Sequence, residues 1–410
     1  MKKYILSTIA FLTIVTSHAQ EFSKFTIEDF KKDKNYGWFN YIQVSGYKGQ
    51  HLAEGELADF FSEGFYAIGI RFGTQSTGRK NWQRLHNYPQ YGVGLSYFDL
   101  GGTDIDSLIG MPTAVYFFYG APISSFRNYR LNADVEIGLS TDFKAYDSEV
   151  NPDQIFIGST TNLHFNLALQ LYHKLSERMD LSLGLSLMHF SNGKMFTPQK
   201  GINLIGLNLS TTYNFNPVKN YTKHVVPNYH PPVRPTLVQE EVPPFKGIHK
   251  LSFMGSIGTV QTDPGEWRHE NGILDTTNII GPRYLTNSFS MDYCYQFAHR
   301  LKYVVGLDMF FDNSAKNLYD STLPKDVTFS KKAFYGGHIG FQYVIERVTV
   351  IYNYGRYLYK PFEQRGKWYM RAGGRVGLTP EIDMQIALKT RNGGIADWIE
   401  WGVVYTIRSK

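Results

Sequence analysis

Asn162-Leu163-His164-Phe165-Asn166-Leu167-Ala168-Leu169-Gln170-Leu171-Tyr172 is the stretch that decides the fold. Its odd positions are Leu, Phe, Leu, Leu and Leu; its even positions are Asn, His, Asn, Ala, Gln and Tyr. Strict period-two alternation gives an extended strand one apolar and one polar face. Lys174 to Asp180 turns the chain, and Leu181, Leu183, Leu185 and Leu187 repeat the pattern against Ser182, Gly184 and Ser186. Ile205, Leu207, Leu209, Tyr213 and Phe215 do so again, opposite Gly206, Asn208, Ser210, Thr212 and Asn214. A soluble sandwich also alternates. Small polar residues so regularly opposite large apolar ones fit instead a transmembrane barrel, wet inside and lipid-covered outside.

Outward from this centre the same pattern recurs. Phe289 to Phe297 and Tyr303 to Phe311 alternate, and further strands are expected near 333–344, 347–357, 367–377, 382–390 and 398–407. Weaker segments near 36–46, 64–74, 91–98, 112–118, 129–140 and 249–259 bring the expectation to an all-β antiparallel barrel of about 16 strands. Short connections near 173–180, 298–300, 345–346 and 378–381 alternate with long ones near 141–158, 192–202, 259–283 and 312–332. Outer-membrane barrels keep short turns on the periplasmic side, so this alternation orients the chain. Residues 216–246 break the rhythm with seven prolines and read as an extended periplasmic linker. They separate a first half, 20–215, from a second, 247–410. One barrel is the preferred reading because closure removes every strand edge at once; two eight-stranded barrels are the alternative.

Lys2 and Lys3, the apolar stretch Tyr4 to Val15 and the small residues Ser17-His18-Ala19 read as a cleaved secretory signal, residues 1–19. No later apolar run approaches the roughly 18 residues that a spanning helix needs. Aromatics are 16% of the chain against 19% charged residues, an excess that aromatic girdles at the two membrane interfaces would use. Without Lys2 and Lys3 the formal charge of +6 falls to +4, which suits an anionic lipid surface. No Lys/Arg run marks a nucleic-acid partner. The single cysteine, Cys294, excludes an internal disulfide and a cysteine-based zinc site.

The chemistry-bearing constellation is His189-Phe190-Ser191-Asn192-Gly193 at the end of the strand from Leu181. His189 and Ser191 share the odd register of Leu183, Leu185 and Leu187, so both are expected on the lipid-facing side. Asn203 shares the register of Ile205 and Leu207 and is expected across the strand pair on the same face. A serine hydroxyl becomes a competent nucleophile when an imidazole takes its proton and a third polar group fixes the ring. Asn192, through its side chain, and Gly193, through an unhindered backbone N–H, are the candidate oxyanion donors. Loop lengths put this patch at the outer leaflet, where a lipid ester is the substrate at hand. Lys194 and Lys200 read as solvated loop lysines, His164 and His338 as lumen or turn residues, and Asp308 as a lumen charge.

His-x-Ser-Asn at the outer end of a barrel strand resembles the lipid A 3-O-deacylase family, also described as acyloxyacyl hydrolases. The resemblance is best over about 129–215. It includes Asn151-Pro152-Asp153, Ile157-Gly158-Ser159 and the closing Ala396-Asp397-Trp398-Ile399-Glu400-Trp401-Gly402. It implies removal of an ester-linked acyl chain from lipid A without a cofactor, in the bacterial outer membrane. Ser191 would be the nucleophile, His189 the base and Asn192 the oxyanion donor. The family pattern has a glutamate where this chain has Asn203; an amide accepts the imidazole hydrogen bond but cannot stabilise imidazolium by charge. Outer-membrane phospholipase A, a calcium-dependent barrel, resembles the His-x-Ser-Asn-Gly core and the later asparagine. Lys194 to Lys200 matches its polar loop poorly, which leaves a calcium site unsupported. The expectation from another class is a porin or transport barrel, since about 16 strands leave room for a channel.

Overall fold

The computed structural model describes residues 39–52, 63–176, 178–198, 200–215, 238, 240–262, 281–315, 328–362, 365–392 and 394–408. The signal-peptide segment and most of the proline-rich linker lie outside the described residues. Sixteen strands form among the described residues. In the first half they are β1 (Asn40–His51), β2 (Phe65–Gln75), β3 (Gln90–Asp99), β4 (Gly110–Phe126), β5 (Tyr129–Phe143), β6 (Asn162–Lys174), β7 (Met179–Ser191) and β8 (Ile202–Asn214). In the second they are β9 (Ile248–Gln261), β10 (Arg283–Ala298), β11 (Leu301–Asp312), β12 (Ala333–Ile345), β13 (Val348–Tyr359), β14 (Trp368–Gly377), β15 (Ile382–Arg391) and β16 (Ile395–Arg408).

The strands close as two barrels of eight, the alternative reading, and not as the preferred single barrel. β8 returns to β1, pairing Asn214 with Tyr41 and Leu204 with His51. β16 returns to β9, pairing Trp401 with Ile257. The prolines that follow β8 lack the N–H a ladder needs. No ninth strand directly extends the sheet, and the free edge of β8 is satisfied by β1.

Eight strands leave an interior just wide enough for side chains to fill. In the first barrel the buried Arg71 guanidinium bridges Asp134 (2.9 Å) and Glu136, and Glu136 also meets His164 at 3.1 Å. In the second, Arg371 bridges Asp308 and Glu400, while Arg365 and Lys389 converge on Asp397. His164, His338 and Asp308 are thus lumen residues. Outside, the alternate positions are apolar and exposed, among them Ile68, Phe117, Leu167, Leu185, Leu207, Ile339 and Val403. Bare leucine and phenylalanine over whole barrel walls are stable against hydrocarbon, not water.

One of the contacts between the two barrels lies at the connection between β2 and β3, against the turn between β12 and β13. Between β2 and β3 the helix α1 (Asn81–Leu85) leads into His86. His86 Nε2 donates to the Val344 carbonyl (3.0 Å), and the Tyr343 hydroxyl donates to His86 Nδ1 (2.8 Å). Arg300 donates to the Leu85 carbonyl (2.8 Å), and Lys80 pairs with Glu346 at 2.6 Å. Burial, aided by Arg300, pushes the imidazole down from 6.5 to about 4, against the carbonyl contact. Once the contact opens, His86 takes a proton below about pH 6.5. Its stabilisation is therefore complete above that pH and falls away as pH drops toward 4. A His86 titration by NMR in detergent micelles is expected to show a midpoint near 4; a midpoint at the ordinary histidine value overturns this.

Candidate functional site

β6, β7 and β8 build the site by register alone. β7 pairs Ser191 with Leu163 and His189 with Phe165 on one side, and His189 with Asn203 on the other. Directly opposed residues on antiparallel strands share a face, so His189 and Asn203 point outward together. His189 Nδ1 lies 2.7 Å from Asn203 Oδ1. The hydrogen-bond pattern assigns the proton to Nδ1 and leaves the lone pair on Nε2. Ser191 stands two residues on from His189, about 7 Å along the same face by strand rise. Its hydroxyl makes no hydrogen bond among the described residues, and the remaining step is rotation of the side chains toward each other.

Asn192 does not join this group through its side chain. Its even register turns it inward, where it is buried; Nδ2 donates to Ser159 Oγ (3.2 Å) and Oδ1 accepts from the Lys194 N–H (3.0 Å). Gly193 turns with φ +59°, and its N–H has no partner among the described residues. Of the two expected oxyanion donors, the backbone of Gly193 is the better placed. Lys194 is buried, not solvated as expected.

The two outer loops lock together beneath the site. Asn192 Nδ2 donates to Ser159 Oγ (3.2 Å), and Gly201 N–H donates to the Phe156 carbonyl (3.2 Å). A Cβ on Gly158 would lie 2.3 Å from the Thr197 carbonyl oxygen, so only glycine permits this approach. Asn151 ties its own loop to the Leu108 and Ala145 carbonyls. Gly201 carries no signal in the sequence that sets it apart from other loop glycines. It has φ +69°, and a Cβ there would lie 3.2 Å from His189 Cε1 and 3.3 Å from Ser191 Cβ. Its bareness leaves space beside the imidazole and the hydroxyl.

Asn203→Asp keeps the shape of the orienter and adds the charge that an amide lacks. With His189 in the role of base that the sequence reading assigns it, the change is expected to raise kcat by about tenfold or more, because a carboxylate stabilises an imidazolium and an amide does not. Steady-state hydrolysis by the two purified proteins checks it, and a lower kcat in Asn203→Asp overturns it.

Fold and site together define a tandem outer-membrane β-barrel with an outward-facing serine, histidine and amide. The model of the lipid A 3-O-deacylase family (PagL) matches residues 66–212, and that of the acyloxyacyl hydrolase C-terminal domain matches 249–409. The chain belongs to this family of outer-membrane hydrolases. None of the curated proteins matches it. Among solved structures, the outer-membrane enzyme PagL is 15% identical and covers 41% of this chain and 97% of its own, with a TM-score of 0.29. Neisserial surface protein A is 9% identical, covering 43% and 97%, with a TM-score of 0.30.

Proposed function

We propose that the protein removes an ester-linked acyl chain from lipid A in the outer leaflet, with Ser191 as nucleophile. Nε2 of His189 takes the Ser191 proton as Oγ attacks the ester carbonyl, and Asn203 holds the ring through Nδ1. The Gly193 N–H stabilises the oxyanion. Collapse expels the alcohol oxygen of the sugar or hydroxyacyl group, which receives the proton from Nε2. Water, deprotonated by the same nitrogen, then attacks the acyl-serine carbonyl; Ser191 Oγ leaves and takes that proton back from Nε2, and the acyl chain departs as a fatty acid that ionises to its carboxylate in water.

The observation that carries the reading is the 2.7 Å contact between His189 and Asn203 on the outward face, beside Ser191. A lumen triad would meet water-soluble esters; this one meets lipid. Toward the membrane interior on the same wall, a groove of about 630 Å³ runs over Gly46 between Leu183, Leu207, Leu209, Tyr66 and Ile68. Its apolar lining suits an acyl chain.

Mass spectrometry of lipid A and phospholipids from cells producing wild type or Ser191→Ala tests the proposal. Loss of one acyl chain from lipid A with wild type alone supports it. Lysophospholipid in its place moves the activity to a phospholipase A, a reading that the amide at position 203 favours. No change in either lipid overturns both.

A further inference from the structure

The site belongs to the first barrel, but the loop that carries Gly193 is held by the second. The Gln261 N–H, at the outer end of β9, donates to the Lys194 carbonyl (3.2 Å). Its Oε1 accepts from the Thr197 N–H (3.0 Å), and its Nε2 is spent on the Gly281 carbonyl (3.0 Å) within its own barrel. One buried residue thus clamps both ends of the 194–197 segment. On the other flank, Ile399 of β16 faces outward yet is 2% exposed, and Gly193 packs against it. A Cβ on Gly193 would lie 2.6 Å from Ile399 Cδ1 and 3.5 Å from a Leu388 methyl. Arg283 of β10 places its guanidinium 4.4 Å over the Phe196 ring.

We infer that the second barrel is a positioning element of the active site: Gln261 and Ile399 set the Gly193 N–H where the oxyanion forms. The inference rests on the esterase reading above. Within the first barrel the loop between Ser191 and Ile202 is held through the Asn192 side chain and at Gly201, on either side of the 193–197 segment. Nothing in β7 or β8 fixes the direction of the Gly193 N–H, whereas the neighbouring barrel grips the loop on two sides. Preorganised donors cost no rearrangement when charge develops, and misplacement by about 1 Å costs on the order of 100-fold. A chain in which a complete eight-stranded barrel is joined to another then has a reason for its second half.

Purified full-length protein in detergent micelles, assayed on lipid A, tests this. Gln261→Ala is expected to lower kcat by about 10- to 100-fold with KM unchanged, because substrate still binds the first-barrel wall. Gln261→Glu keeps the acceptor for Thr197 but loses the donor to Gly281, and is expected to recover most of that loss. If Gln261→Glu falls as far as Gln261→Ala, the effect arises inside the second barrel and the inference fails. Ile399→Ala, on an outer wall, is the second variant should Gln261→Ala not fold, and it too is expected to lower kcat alone. Wild-type kcat in either folded alanine variant, with Ser191→Ala inactive, overturns the positioning role and leaves the esterase standing. Full activity in Ser191→Ala removes the esterase reading itself.

Discussion

Ser191→Ala and His189→Ala are each expected to abolish hydrolysis, lowering kcat by roughly 10⁴- to 10⁶-fold, and the double variant is expected to be no slower than the worse single one. The reason is that the pair acts as a unit. Without the imidazole the hydroxyl keeps its proton and is a poor nucleophile; without the hydroxyl the imidazole has nothing to activate. Removing the second partner therefore removes nothing further. Neither change endangers the barrel. Both residues are part-buried on the outer wall, and the ladder of β7 depends on their backbones, not their side chains. Heat-modifiable gel mobility should match wild type, while single-turnover hydrolysis of lipid A reports the loss. Additive losses, or a single variant within tenfold of wild type, would mean that the two residues do not share one step.

The strands are legible in the sequence because a barrel wall forces parity. Leu183 against Ser182, and Leu167 against Asn166, follow from lipid on one side and a polar lumen on the other. The same parity puts His189, Ser191 and Asn203 on one face. It also argues against Asn192 as a side-chain donor, since its even position turns the amide inward to Ser159. Closure is not legible. Alternation within a strand states which face is apolar but not which edge it meets, and the pairings β1 with β8 and β9 with β16 are contacts between distant segments. The prolines after β8 mark a break without saying whether the sheet resumes beyond it. Gln261 and Ile399 are inconspicuous for a related reason. A glutamine at a strand end and an isoleucine on an apolar wall are ordinary locally. They acquire a role through a loop more than sixty positions away in the chain.

Arg371→Met should be the most damaging single change to the second barrel, costing about 3–5 kcal/mol. The guanidinium donates to Asp308 Oδ1 (3.0 Å) and, through Nε and Nη2, to both oxygens of Glu400 (2.5 and 3.2 Å). Intact, such a network roughly breaks even, since taking its charges from water costs as much as their attraction returns. Removing the cation alone strands the carboxylates. They are not equally affected. Asp308 still accepts from Ser290, from Tyr369 (2.6 Å) and from His338 Nδ1 (2.6 Å). Glu400 has no second partner among the described residues and no exposure. The loss therefore sits mainly on Glu400. Arg371→Met with Glu400→Gln is expected to regain most of it, and Arg371→Met with Asp308→Asn much less. Urea midpoints of folding into detergent micelles, read by gel mobility, separate these cases. Equal rescue by the two double variants would show that the arginine serves both carboxylates alike, and no loss in Arg371→Met would show that water reaches this layer of the lumen.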